Sequence, residues 1–132
     1  MIAFTFNQVK YVLYNYYELS RGEFPAAGIG QNLAIRVPLQ SRARFEAACL
    51  LAGEVGLRVK RCGLDGLITE AVFMGPEGLR SESAVAHEYH LDQADVHRRI
   101  NRVVCYCEGK DLRPEDYETW RKENRNRRAL RR

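Results

Sequence analysis

No apolar run in this chain approaches the length needed to cross a bilayer. Met1-Ile2-Ala3-Phe4 gives way at once to polar residues, so no secretory leader is expected and a cytoplasmic location is. There is no C-x-x-C pair. The four cysteines, Cys49, Cys62, Cys105 and Cys107, stand in no recognised zinc spacing relative to His87, His90 and His97. Cys105 and Cys107 would point about 200° apart on a helix and cannot easily share a metal. Reduced thiols, no metal and no cofactor are therefore expected. Ile29-Gly30-Gln31 lacks the Lys-Ser/Thr of a phosphate-binding loop. No nucleophile elbow and no paired-carboxylate spacing occurs either, so the chain is not expected to be an enzyme.

What is present suffices for a folded domain. Of 132 residues 45% are hydrophobic, enough for a core. The net charge of +4 is unevenly placed. From Thr119 onward seven basic residues, Arg121, Lys122, Arg125, Arg127, Arg128, Arg131 and Arg132, face only Glu123, a net of +6 that leaves the rest of the chain at −2. A slightly acidic body carrying a basic tail points to a polyanion held by the tail, or to a solubilising terminus.

Hydrophobic spacing predicts an all-α fold: a helical bundle with an irregular Gly/Pro-rich segment after the first helix and a basic helix at the C-terminus. Three stretches follow: residues 1–40 (aromatic helix and connection), 41–118 (helical domain) and 119–132 (basic arm). The first helix is expected from Asn7 to Ser20, capped by Thr5 or Asn7, with Phe6, Val9, Val12, Leu13, Tyr16 and Tyr17 at helical intervals. Its tyrosines, including Tyr11 and Tyr14, make it aromatic nearly all round, which suggests burial against a neighbour, a second subunit included. Asn32 to Val37 could form a short extended segment. A second helix should start at the cap Ser41 and stop by Ala52 before Gly53 and Gly56, burying Phe45, Ala48, Cys49 and Leu51. A third spans Leu64 to Met74, ended by Gly75-Pro76. Pro114, Glu115 and Asp116 read as the first turn of a last helix, with Tyr117 and Trp120 anchoring it before the arginines begin.

The most informative pattern lies between residues 81 and 108 and reads as a helix-turn-helix. Ala86 is small where a second helix must cross closely, and Val85, Tyr89, Leu91 and Val96 form a shared apolar seam. His90 sits at the turn position that often needs a positive φ, which histidine tolerates better than most residues. Asp92 can cap the second helix with its carboxylate. Arg99 falls where an apolar contact is usual, a role Ile100 can take by a small rotation. Arg98, Arg99 and Arg102, with Gln93, His97 and Asn101, are expected on or beside the outward face, able to reach phosphates and base edges. Against Asp92 and Asp95 the three arginines leave a local net charge of only +1, so the tail would supply most of the phosphate affinity.

Residues from about Leu64 to Gly109 resemble region four of bacterial sigma factors and phage late-gene transcription regulators of the ArpU and RinA type. The likeness rests on Leu67-Ile68-Thr69-Glu70-Ala71-Val72-Phe73, a Gly-containing turn, Val85-Ala86, and Val96-His97-Arg98-Arg99-Ile100-Asn101-Arg102-Val103. It covers about a third of the chain. The resemblance implies that the second helix of the motif enters the major groove, with Gln93, Ala94, Asp95, His97, Arg98, Asn101 and Arg102 facing DNA. Small terminase subunits, which recognise phage DNA during packaging, have a similar motif.

These readings lead to a sequence-specific binder of double-stranded DNA, a phage- or prophage-type transcriptional regulator acting as a homo-oligomer, a dimer being favoured, with RNA polymerase as a further partner and no membrane. Arg121, Lys122, Arg125, Arg127 and Arg128 join the DNA-contacting set through the tail. The competing reading is an oligomerising packaging or protein-interaction module of the small-terminase kind.

Overall fold

The computed structural model describes residues 3–25, 35, 37–109 and 116–130, with side chains described as far as residue 124. Among these the fold is all-α, as expected: α1 (Phe6–Tyr14), α2 (Tyr16–Ser20), α3 (Ser41–Lys60), α4 (Gly63–Phe73), α5 (Glu82–Glu88), α6 (Gln93–Cys107) and α7 (Tyr117–Leu130). The irregular segment that includes Ile29-Gly30-Gln31, and most of the extended stretch expected from Asn32 to Val37, lies outside the described residues.

Thr5 caps α1. Its hydroxyl accepts from the Gln8 N–H at 3.1 Å while the Gln8 side chain accepts from the Thr5 N–H at 3.0 Å, a reciprocal box that satisfies two end donors. The single first helix expected from Asn7 to Ser20 is instead two helices broken at Asn15. The Asn15 amide side chain donates to the Tyr11 carbonyl at 2.9 Å and its backbone N–H reaches the same oxygen at 3.1 Å, so a local side-chain bond competes with helix propagation.

α3 departs from expectation in the opposite sense. Instead of stopping at Ala52 it runs 20 residues, straight through Gly53 and Gly56, with Gln40 and not Ser41 at its cap. Helix interiors tolerate glycine at about 1 kcal/mol when packing compensates. At Gly56 the compensation is visible: Tyr16 and Met74 pack over the bare backbone. Phe45, expected on the buried side, is 54% exposed, whereas Ala48, Leu51, Ala52, Val55 and Val59 enter the core.

The core is one cluster. Val9, Val12 and Leu13 from α1, Val55 and Val59 from α3, Ile68 and Val72 from α4, Val85 from α5, and Val96, Val103 and Val104 from α6 all meet in it. The N-terminal helices are thus part of the same core as residues 41–118. α6 packs against α4, α5, α1 and α3, which makes it the central rod. α3 and α4 approach so closely that a Cβ on Gly66 would sit 2.3 Å from the Val59 carbonyl oxygen, so position 66 admits only glycine.

One charged group is built into this interior. Arg58, 1% exposed, donates through Nη1 to the Cys107 carbonyl at 2.7 Å and the Gly109 carbonyl at 3.0 Å, and through Nε and Nη2 to Glu54 at 3.3 and 3.1 Å. The guanidinium also lies 4.9 Å from the Phe4 ring centre. Phe4 and Gly109 exchange two backbone hydrogen bonds of 2.9 Å. The arginine thereby satisfies end carbonyls of α6, sits at the negative end of that helix's dipole, and ties both α3 and the N-terminal strand-like residue to it. Replacing Arg58 by Met should cost about 2–4 kcal/mol in urea denaturation, because the Cys107 carbonyl and Glu54 lose this partner and the Gly109 carbonyl keeps only the Phe4 N–H. Arg58→Lys should recover less than half of that, since an ammonium cannot fork to three acceptors.

Candidate functional site

α5, of seven residues, and α6, of 15, are neighbours joined by the turn Tyr89-His90-Leu91-Asp92. Ser81 caps α5 by accepting from the Ala84 N–H at 3.1 Å. The exit is a Schellman closure: the Leu91 N–H reaches the Ala86 carbonyl at 2.8 Å and the His90 N–H the His87 carbonyl at 3.3 Å. That closure needs a left-handed residue, and His90 supplies it at φ 55°, the one non-glycine positive φ among the described residues. Val85, Ala86 and Val96 are buried, and Tyr89 and Leu91 pack partly buried against the core, so the anticipated seam is present. Asp92 occupies the cap position of α6, but its side chain makes no capping bond; only its carbonyl is engaged, by Asp95 and Val96. The carboxylate cap expected from the sequence is therefore absent.

The three arginines of α6 divide. Arg98 projects outward, its side chain 71% exposed, and pairs with Asp95 one turn earlier. Arg99 turns inward. Its Nη1 donates to Asp65 at 2.7 Å, while Ile100, 4% exposed, takes the apolar contact that position 99 would otherwise have made. Arg102 follows Arg99 inward, with its Nη2 3.8 Å from the second Asp65 oxygen. The Nε atoms of both are buried without a hydrogen-bond partner, so these side chains are packed into place and not draped over the surface.

Asp65 is the centre of this arrangement and was not singled out in the sequence. It is 2% exposed in the first turn of α4, and its second oxygen also accepts from the Tyr117 hydroxyl at 2.6 Å. A single carboxylate thus joins α4, α6 and α7. Tyr117 and Trp120 form an edge-and-stack cluster with Tyr106 of α6, ring centres 5.3 to 5.9 Å apart, which docks the start of the basic helix. Asp116 caps α7 by accepting from the Thr119 N–H at 2.8 Å, a bond that holds its carboxyl below the usual range. The only hint in the sequence was a lone acid in the otherwise apolar run Gly63-Leu64-Asp65-Gly66-Leu67-Ile68.

The residues expected to face a ligand fall into groups. Gln93, Ala94, His97 and Arg98 are exposed together on the first turns of α6, with Asp95 beside them. His97 is steadied by Glu82 of α5 at 3.1 Å. Asn101 is half-buried and lines a shallow cleft between α6 and α1 with His97, Lys10, Tyr14, Phe73 and Glu82. Arg102 is held toward Asp65. Lys122 is exposed on α7, and Arg121 is half-buried, 3.6 Å from Glu118. The side chains of Arg125, Arg127 and Arg128 lie outside the described residues. Cys62 and Cys107 are buried and form no disulfide, and the hydrogen bond between them, then burial, pushes the Cys62 thiol far up, so it stays protonated. Cys49 and Cys105 are only half-buried, and no cluster of three or more metal-ligating side chains occurs among the described residues.

Removing the central carboxylate tests this reading of Asp65. Asp65→Ala should lose about 2–4 kcal/mol, because two arginines with buried Nε atoms are left without a counter-charge. Alkaline pH probes the same node. Burial, then the hydrogen bond to Asp65 and its negative charge, hold the Tyr117 phenol well above its ordinary value of 10.0. The folded state therefore favours the neutral phenol. That contribution is intact below pH 10 and is lost as pH rises past it, because the unfolded chain then releases the proton first. Tyr117→Phe should flatten the fall in stability between pH 9 and 11 (about one unit either side of that value) in denaturant titrations, although Tyr11 and Tyr16, also raised by burial, retain part of it.

Comparison with family models, with curated proteins and with solved structures returns no match.

Proposed function

We propose that this chain binds double-stranded DNA in a sequence-dependent manner, with α5 and α6 acting as a helix-turn-helix and the basic end of α7 holding phosphates. The observation that carries this reading is the exposed first half of α6, where Gln93, Ala94, His97 and Arg98 stand clear on a helix fixed from behind by its neighbours. Such a helix can lie in a major groove, where Arg reads guanine bidentately and Gln reads adenine. The left-handed His90 and the tight α5–α6 seam support the same reading.

The charge distribution divides the work. Arg98 is matched by Asp95, and Arg99 and Arg102 by Asp65, so α6 offers DNA little net positive charge. The Arg98–Asp95 pair is solvent-exposed and worth about 0–1 kcal/mol, so a base edge or phosphate can displace the aspartate easily. Net attraction to the polyanion then comes from the tail, whose basic residues are concentrated beyond Trp120. A role in transcriptional regulation of the phage or prophage kind agrees with the sequence resemblance, with Arg98 the chief specificity residue and Arg102 the positioning residue that Asp65 holds.

A gel-shift selection on random duplexes, followed by salt titration, tests this. Arg98→Ala should change the selected sequence or weaken the selected site by about 1–3 kcal/mol relative to random DNA. Truncation after Trp120 should weaken all duplexes alike and flatten the dependence of affinity on salt. Parent-like binding by both variants would sink the proposal.

A further inference from the structure

α3 is apolar on two sides. One side enters the core; the other bears Leu50 and Leu57, 60% and 51% exposed, in line with Glu46, Gly53 and Lys60. These five residues are spaced four, three, four and three apart, so they form one stripe down the helix, the seam spacing of paired helices. All five are exposed, and a Cβ on Gly53 would have nothing within 4 Å. Exposed leucines scattered singly need no explanation, but a stripe of them around a bare glycine does.

The order of the stripe names its occupant. Reading outward from Gly53, a leucine comes first in each direction, then an acid at one end and a base at the other. Glu46 and Lys60 each stand seven residues from Gly53, about 10 Å along the axis. Laid antiparallel on a second copy crossing at Gly53, the stripe sets Leu50 beside Leu57 of the second copy and Glu46 against Lys60 of the second copy, and the two-fold axis repeats both pairings. A parallel copy would oppose like charges. Gly53 lets the axes approach to the short end of the 8–10 Å range for packed helices. The exposed Arg42–Glu46 pair on the same helix, at 3.2 Å, can rearrange readily, because both side chains lie in water.

We infer that the outer face of α3 is a homodimer interface, in which two copies of this chain pack antiparallel through Leu50, Gly53 and Leu57 with Glu46–Lys60 ion pairs at both ends. This is an isologous contact: one patch meets itself and closes the assembly at two. It uses no residue of α5, α6 or α7, so the exposed turns of α6 stay free in both copies. It also moves the subunit contact away from the tyrosines of α1, of which Tyr11 is already buried within the protomer.

Sedimentation equilibrium on the full chain without DNA is the test, so its failure leaves the DNA-binding proposal standing. The parent should show a monomer–dimer equilibrium. Leu57→Asp should raise the dimer Kd at least about 100-fold while helical content and melting stay monomer-like, since an exposed side chain is changed. Glu46→Lys and Lys60→Glu should each weaken self-association about tenfold, and an equimolar mixture of the two should associate better than either alone, because only the mixed pair satisfies both ends. A parent that stays monomeric, a dimer or larger ring indifferent to Leu57→Asp, or a mixture no tighter than its components would each overturn the interface.

Discussion

The buried carboxylate of Asp65 is the constraint around which the candidate site is arranged. A charge at 2% exposure is tolerated only when it is paired and hydrogen-bonded, and here the partners come from two other helices: Arg99 at 2.7 Å, Tyr117 at 2.6 Å and Arg102 at 3.8 Å. Satisfying Asp65 therefore fixes the rotation of α6 about its axis and the place where α7 begins. Once Arg99 is turned inward, Arg98 must point away, and Gln93, Ala94 and His97 share its side of the helix. The outward face of α6 is a consequence of an inward ion pair.

Arg58 performs the complementary task at the other end of α6. Its guanidinium receives the carbonyls of Cys107 and Gly109, where helix-end acceptors have no intrahelical donor. α6 is thus clamped near its middle by an acid from α4 and at its end by a base from α3, seven residues apart in sequence. A rod held at two points by directional bonds, with an apolar seam against α5 and α1, presents its free first turns rigidly. Preorganisation of that kind supports the DNA-binding role proposed for α6, since little ordering entropy remains to be lost on contact.

Much of this architecture was legible because it follows from local rules. A cap at Thr5 (one of the two positions expected), the punctuation by Gly75-Pro76, the seam of Val85, Ala86 and Val96, the left-handed His90 and the anchoring by Tyr117 and Trp120 all depend on neighbours within a turn or two, or on periodic apolar spacing. Errors arose where a particular side-chain contact, local or distant, overrode the periodic pattern. Gly53 and Gly56 looked like a helix end, yet packing by Tyr16 and Met74 carries α3 through. Asn15 divides what periodicity joined. Asp92 has the right chemistry for a cap, but its side chain makes no such bond. The helix-turn-helix pattern put Arg99 and Arg102 on or beside the outward face, because nothing local marks Asp65, 34 residues before Arg99, as their partner.

By itself the sequence determined the all-α class, the bounds of α4 within a residue, the outer limits of the α5–α6 pair, the sharp turn at His90 and the concentration of positive charge beyond Trp120; each is a property of short segments. Tertiary structure alone decided which arginine of α6 projects outward, that Arg58 lies in the interior, and that Leu50 and Leu57 on the outer side of α3 are exposed among the described residues. Those outcomes depend on how helices distant in sequence are rotated against one another, and a buried charge selects that rotation by finding its counter-charge, a search no local pattern encodes.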